Sequence, residues 1–438
     1  MKNVHLSRGE PFRLSISLPG DKSISHRAVI FASIAKGVST IRNFSGGKDN
    51  WSTVGAFRSL GIPIDAPDNT TLIIQGNGRY GFTAASDTID CGNSGTTMRL
   101  MMGLLAAQPF RSMLDGDESL RRRPMNRVIS PLKLMGARLK ALRENNFAPI
   151  QIESCEKLQG IHYPMPIASA QVKSAILLAG LYAENETIVE EKEASRDHTE
   201  LMLKEWGYSV SMSTGKIVLR RPLSDVPGRE ITIPGDPSSA AFFIALTLLT
   251  PLSSLIIENI GVNPTRTGFI EAVRRMGGNI ELENERFSGG ERVADIRVSS
   301  SALHGIDLCG ADIPRTIDEI PMLAVLAAFA DGATTIRDAH ELRVKETDRI
   351  HALCSGLKAF GAPVTENQDG LIIHGGSPLI PGEVESFDDH RIAMAFAIGA
   401  ARIEGESMIK NVSCVDISFP DFFRLLEAFH VPMKSLSQ

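Results

Sequence analysis

Six stretches of this chain are apolar on nearly every face of a helix, which limits its possible folds more than any other feature. Residues 28–35, 98–107, 172–182, 240–249, 321–330 and 392–401 are rich in Ala, Leu, Ile and Met. A helix without a polar face must lie inside a domain. A polar, turn-like anchor precedes each one: GDKSIS, CGNSGT, IASAQ, GDPSS, RTIDE and FDDHR. Four are followed by a similar strand, GVSTIRNF, SSLIIENI, GATTIRDA or GESMIKNV. An amphipathic helix comes next, as in TVGAFRSLG, TGFIEAVRRMGG and IHALCSGLKAFGA, and short alternating strands such as TLIIQG and GLIIHG close the unit. The pattern predicts a β-α-β-α-β-β unit repeated six times, three in each half.

Three fully apolar helices then fill the centre of each half, with sheets outside and helix N-termini facing one way. Aligned N-termini make an anion-binding surface. The 438 residues suit two or three domains at roughly 100–200 residues each. RREITIPGDPSS near the midpoint echoes LSISLPGDKSIS at the start, so the two PGD turns read as crossings between domains. The expected domains are 20–235, and 1–19 together with 236–438. The first strand, apolar at Phe12, Leu14, Ile16 and Leu18, thereby joins the second half.

Composition excludes several classes of function. With 43% hydrophobic and 22% charged residues the chain is globular, neither disordered nor fibrous. Forty-six Lys and Arg against 51 Asp and Glu leave a net charge of -5, which argues against nucleic acid as a partner. Five scattered Cys without a CxxC spacing point to a reduced, intracellular protein with neither disulfides nor a zinc site. The longest apolar run, SAAFFIALTLLTPLSSLII, is broken by Pro251, whereas a membrane span needs about 20 apolar residues. No leader pattern opens the sequence, so a cytoplasmic protein with no membrane partner is expected.

Chemistry-bearing residues cluster at the helix entrances. Asp21, Lys22, Ser23, Ser25, His26 and Arg27 follow the first PGD turn, with Ser23 and Arg27 on one helix face. Their donors suit a phosphate or carboxylate, although a Ser cap with solvated charges explains them equally well. CGNSGTTMR at 91–99 is a small-residue turn in which Gly92 and Gly95 admit a close ligand, but it is not a P-loop. SLRRRPMNR packs four Arg into one loop, and ASAQVKS offers hydroxyl and amide groups that helix capping alone would account for. In RVKETDR, Lys345 and Arg349 are predicted to share a helix face with Glu346 beside them, otherwise an exposed salt-bridged helix. Asp318 and Arg391 stand at the entrances of the fifth and sixth buried helices. GNGRYG at 76–81 matches GxGxxG but precedes no helix and has no acidic residue about 20 positions on, so it fails as a dinucleotide fingerprint.

LPGDKSISHRA, GNSGTTMRL, RRP, SAQVKSAILLAG, RVKETDR and DDHRIAM occur in this order over nearly the whole chain. Together they resemble the 5-enolpyruvylshikimate-3-phosphate synthase family. The resemblance implies an α/β fold of two domains closing over a cleft, each with three six-element repeats around buried helices, an inside-out α/β barrel. It implies transfer of the enolpyruvyl group of phosphoenolpyruvate to the 5-hydroxyl of shikimate 3-phosphate by addition and elimination. These small molecules would be its partners, with no cofactor, no metal, a monomeric state and sensitivity to glyphosate. By motif, Lys22, Ser23, Arg27, Ser169, Ala170, Gln171, Arg196, Asp318 and Lys345 look like the shikimate 3-phosphate ligands. Many relatives have Ser where Ala170 stands, so only its backbone can make that contact. Lys22, Gly95, Arg123, Gln171, Arg349 and Arg391 match the phosphoenolpyruvate positions. Asp318 looks like the base at the 5-hydroxyl, Glu346 the proton donor to the methylene carbon, and Lys22 a third catalytic group. Asp49 and Asn93 are weaker candidates for lining the cleft. Where many relatives have Lys before a TFPxF-like segment, DISFPDFF carries Ile417 and Ser418, so one cation of the family site is missing or replaced.

Two alternatives are distinguishable. The enolpyruvyl transferase acting on UDP-N-acetylglucosamine places a reactive Cys in the segment matching 110–123, and PFRSMLDGDESLRRR has none. A catalytically silent phosphometabolite-binding protein would not need Lys22, Asp318, Glu346 and the carried-over Arg together.

Overall fold

The structure is a computed structural model that describes residues 2–155 and 157–437. Two units are distinguished, each with its own apolar core. The continuous unit is Gly20–Ile233 with the short segment Phe287–Glu291. The split unit combines Met1–Pro19, Pro234–Arg286 and Arg292–Gln438.

The apolar stretches form six buried helices. The continuous unit holds α1 (Lys22–Ile34), α2 (Gly95–Leu105) and α3 (Ala170–Gly180). The split unit holds α4 (Pro237–Leu249), α5 (Ile320–Phe329) and α6 (His390–Ala400). Each starts ahead of its apolar run, and in all but α5 residues of the polar anchor begin the first turn. In five of them the anchor also caps it: Asp21, Ser94, Ser169, Asp236 and Asp389 accept backbone N–H bonds of α1, α2, α3, α4 and α6. Helix α5 has no such side-chain cap at Glu319.

Among the described residues six four-stranded sheets cover these helices, all with one strand order. In the sheet of Ile89–Asp90, Ser112–Asp115, Leu139–Ala141 and Ile150–Ile152, the first two strands are parallel, and the last lies antiparallel between the second and third. Two sheets borrow their first strand from far along the chain. Arg13–Ser17, which leads into α1, pairs with Ser254–Gly261 at Leu14↔Leu255. Glu230–Thr232, which leads towards α4, pairs with Lys36–Arg42 at Ile231↔Ile41. Lys2–Ser7 sits between Glu406–Lys410 and Met433–Ser437.

The C-terminal pole of the helices is closed by a buried arginine in each unit. Arg79 donates through Nη1 to the carbonyl of Leu181 at 2.7 Å and pairs through Nε with Asp225 at 3.0 Å. Arg402 donates to the carbonyls of Leu249 at 3.2 Å and Gly9 at 3.1 Å. A cation there opposes the negative helix ends. The GNGRYG segment is the loop that delivers Arg79. A Cβ on Gly76 would stand 2.3 Å from the carbonyl oxygen of Ala32, so glycine lets this strand lie on the end of α1.

Candidate active site

In each unit the opposite, N-terminal pole gathers polar groups. In the continuous unit Lys22 Nζ lies 3.1 Å from Asp49 Oδ2, and the Lys22 carbonyl accepts from Asn50 at 2.9 Å. Arg27 is buried, and its Nη1 donates back to the Ser23 carbonyl at 2.9 Å. Burial pulls the Arg27 guanidinium down to about 10, with Glu200 and Asp21 opposing the fall. A guanidinium so desolvated gains from an anionic ligand. His26, beside Lys22 and Arg27, bonds Thr53 at 2.7 Å, and burial followed by those two cations drives it well below the ordinary histidine range. It stays neutral and contributes no charge at pH 7.

Helix α2 brings in the second cluster. Arg123 Nη2 donates to Asn93 Oδ1 at 2.6 Å, and Asn93 Nδ2 donates to Asp117 at 2.7 Å. A Cβ on Gly95 would stand 2.8 Å from Arg99 Nη1 and 3.4 Å from Arg123 Nη1. Arg99 Nη1 donates to Gln171 Oε1 at 2.6 Å, while Gln171 Nε2 donates to Thr96 Oγ1 at 3.0 Å. The Gln171 amide, at the start of α3, is therefore clamped against the start of α2. Ser169 caps α3 by accepting from the Val172 N–H at 3.5 Å, and Arg196 sits half-buried in the loop before helix His198–Glu205.

The split unit centres on one carboxylate. Asp318 Oδ1 lies 3.8 Å from Lys345 Nζ and 3.6 Å from Arg349 Nη1, and Oδ2 lies 3.7 Å from Arg391 Nη2. Arg391 also donates to the Asp318 carbonyl at 3.0 Å. Arg349 donates to Glu346 Oε2 and to Asp389 Oδ2, each at 2.7 Å. Burial works against the Arg349 charge, but Asp389, Glu346 and Asp318 outweigh it and hold the guanidinium above its usual range. Behind Asp318, Glu319 accepts from the Ser238 hydroxyl, and Arg266 Nη2 donates to Ser238 Oγ at 2.7 Å.

Lys345 and Arg349 do not share a helix face, contrary to the i,i+4 reading. The segment His340–Val344 is a 3-10 turn, and helix Arg349–Ala359 begins only after Asp348, which caps it at the His351 N–H. The two cations reach Asp318 from either side of that break. Of the SLRRRPMNR arginines, Arg121 pairs with Asp115 and Arg122 with Glu118, while Arg123 turns inward. Ile417 packs on the apolar core of the split unit and supplies no charge. Arg99, Asp389, Arg266 and the buried Lys173, which meets Glu191 and Glu200 at 2.7 Å each, carry no sequence motif of their own that points to the site. Arg99 was detectable as the residue one turn after Gly95 on the same helix; the others meet only through tertiary packing.

A family model for EPSP synthase (3-phosphoshikimate 1-carboxyvinyltransferase) matches residues 7–426. A 3-phosphoshikimate 1-carboxyvinyltransferase of Desulforudis audaxviator is 51% identical over 414 residues, covering 94% of this chain and 96% of its own. One from a Geobacter species is 48% identical over 427 residues, covering 98% of this chain and 99% of its own. Among solved structures, an EPSP synthase from Acinetobacter baumannii superposes with a TM-score of 0.90 at 42% identity over the full length of both chains. The enolpyruvyl transferase NikO from Streptomyces tendae, at 15% identity, shares the fold with a TM-score of 0.80, covering 100% of this chain and 99% of its own. The six motifs, the repeated α/β architecture and these likenesses agree, and the chain belongs to the EPSP synthase family.

Proposed function

We propose that this chain carries out its family's reaction with the residues gathered at the two helix poles. The enolpyruvyl group of phosphoenolpyruvate passes to the 5-hydroxyl of shikimate 3-phosphate. In the addition step the hydroxyl oxygen bonds to C2 of phosphoenolpyruvate, the methylene carbon gains a proton and the hydroxyl loses one. In the elimination step the C2–O bond to phosphate breaks and the new methyl group loses a proton. The products are the enol ether and inorganic phosphate, with no change in oxidation state. Neither step calls for a metal or a redox cofactor.

Asp318 takes the proton of the 5-hydroxyl. Its carboxylate among three cations is the observation that most favours this reading, because the same cations can bind the anionic substrates. Glu346 delivers the proton to the methylene carbon and recovers it in the elimination. With Arg349 at 2.7 Å it first has to take up a proton, which becomes easier once a substrate carboxylate engages Arg349. Lys345, Arg349 and Arg391 bind substrate anions, as do Lys22 and Arg123. Lys22 also supports charge transfer at the reacting centre, with Asp49 holding its ammonium. Ser23, Arg27, Ser169, the Ala170 backbone, Gln171 and Arg196 hold shikimate 3-phosphate. Gly95 leaves room beside Arg123 for phosphoenolpyruvate, and Asn93 orients that arginine.

The sister reaction on UDP-N-acetylglucosamine is not favoured, since 110–123 contains no Cys. We place the enzyme in the cytoplasm as a monomer, a state that sedimentation velocity checks. No helix among the described residues is long and apolar enough to cross a membrane. The deciding experiment is phosphate release with both substrates, with the enol ether identified by NMR. No release from the pair, or release from phosphoenolpyruvate alone, overturns the assignment.

A further inference from the structure

Behind the Arg27 guanidinium lies a buried polar ladder that no chemical step uses. Ser174 Oγ donates to the Ala170 carbonyl at 2.6 Å, so its one proton is committed. Ser174 Oγ also lies 2.6 Å from Thr199 Oγ1, and the proton in that bond must therefore be the one on Thr199. Both hydroxyl oxygens keep lone pairs for Arg27. Nε donates to Thr199 Oγ1 and Nη2 to Ser174 Oγ, each at 2.7 Å. With Nη1 on the Ser23 carbonyl, three of the five guanidinium N–H groups are fixed. One N–H on each terminal nitrogen is left for substrate.

The next rung is ionic. Lys173 and Glu200 are the chain neighbours of Ser174 and Thr199, each 1% exposed, and they meet at 2.7 Å. Lys173 Nζ also lies 2.7 Å from Glu191 Oε2 and donates to the Ser195 carbonyl at 3.3 Å. Glu191 in turn accepts from the Ser195 hydroxyl. Burial opposes the Lys173 charge, but the two carboxylates outweigh it and keep the ammonium protonated. One cation on the first turn of α3 thus pins the loop that carries Arg196.

We propose that Ser174 and Thr199 are positioning residues for Arg27, and that Lys173 with Glu191 and Glu200 holds them and the Arg196 loop at a fixed place beside the α3 entrance. The ladder thereby sets affinity for shikimate 3-phosphate without touching the chemistry on phosphoenolpyruvate. The inference rests on the proposed roles of Arg27 and Arg196.

The test is steady-state kinetics on the full chain. Thr199→Val, close in shape, should raise KM for shikimate 3-phosphate about tenfold, the effect of one lost bond to a charged group. kcat and KM for phosphoenolpyruvate at saturating shikimate 3-phosphate should stay within about twofold. In an Arg27→Ala background the same change should add less than about twofold, since residues acting through one group are not additive. Lys173→Met should behave alike towards Arg196→Ala. If it fails to fold, Glu191→Gln reads the same rung, and a KM for shikimate 3-phosphate within twofold of wild type in that variant overturns the ionic rung. An unchanged KM in Thr199→Val, equal loss for both substrates, or a full effect without Arg27 overturns the proposal. An inactive wild type would instead overturn the functional reading, so the two failures are separable.

Discussion

Asp318→Asn separates chemistry from binding because its two expected effects have opposite signs. The carboxylate stands 3.6–3.8 Å from Lys345, Arg349 and Arg391. Each such pair is worth about 4 kcal/mol at an effective dielectric near 20, and less where solvent enters. Asparagine keeps the size and one acceptor but removes the negative charge and the ability to take a proton. Turnover should fall about 10²–10⁴-fold, the usual share of a general base. The three cations, relieved of the one carboxylate they share, should bind anions more strongly, although Arg349 keeps Glu346 and Asp389. A gain of roughly 0.7–1.4 kcal/mol, a small part of the lost attraction, tightens phosphoenolpyruvate about three- to tenfold. Rapid-quench turnover and calorimetric titration of phosphoenolpyruvate against the variant bound to shikimate 3-phosphate measure the two effects. Near-normal turnover would move the base elsewhere, with Lys22 next in line. Turnover and affinity lost together would make Asp318 a scaffold for its cations.

Glu346→Gln should lower kcat by about 10²-fold or more while the affinity for shikimate 3-phosphate stays within about tenfold; exchange of methyl-group hydrogen with solvent, followed by NMR, should slow in step. Gly95→Ala puts a methyl group against Arg99 and Arg123, and it should raise the inhibition constant of glyphosate more than KM for phosphoenolpyruvate; equal rises refute the placement of this turn in the pocket. Glu271 is held below the usual carboxylate range by its hydrogen bonds to Arg315, so that pair stabilises the fold above the unfolded-state value and the gain is lost as pH falls through the folded one. Urea midpoints between pH 5 and 3 should therefore fall more steeply in wild type than in Arg315→Met, by up to about 1 kcal/mol given the exposure of the pair.

The buried helices were legible because nothing else explains six stretches without a polar face. Their caps were less legible, since Asp21, Ser94 and Asp389 look like loop residues until the backbone N–H bonds they accept are seen, although the shared face of Ser23 and Arg27 marks the first turn of α1. The motif residues gather as their helix entrances suggest: Arg123 with Asn93, and Asp318 with Lys345, Arg349 and Arg391. Local periodicity misled at RVKETDR, because a cap at Asp348 overrides the helical spacing of the charges. Lys173 was hidden for a different reason. It stands inside a stretch read as apolar on nearly every face, and only the distant Glu191 and Glu200 make its burial tolerable.

The borrowed strands set a timetable for synthesis. Everything the continuous unit needs, apart from Phe287–Glu291, has been made once Ile233 leaves the ribosome, including the strand Glu230–Thr232 that completes its first sheet. Lys2–Ser7 and Arg13–Ser17 are made long before their partners: Arg13–Ser17 pairs only when Ser254–Gly261 appears, and Lys2–Ser7 waits for Glu406–Lys410 and then Met433–Ser437. The nascent chain thus carries two unpaired, half-apolar strands throughout much of its translation, the kind of edge that invites pairing with another chain. A holdase that shields Lys2–Ser17 until Ser254–Gly261 and Glu406–Lys410 have been made should raise the yield of native protein in cell-free synthesis.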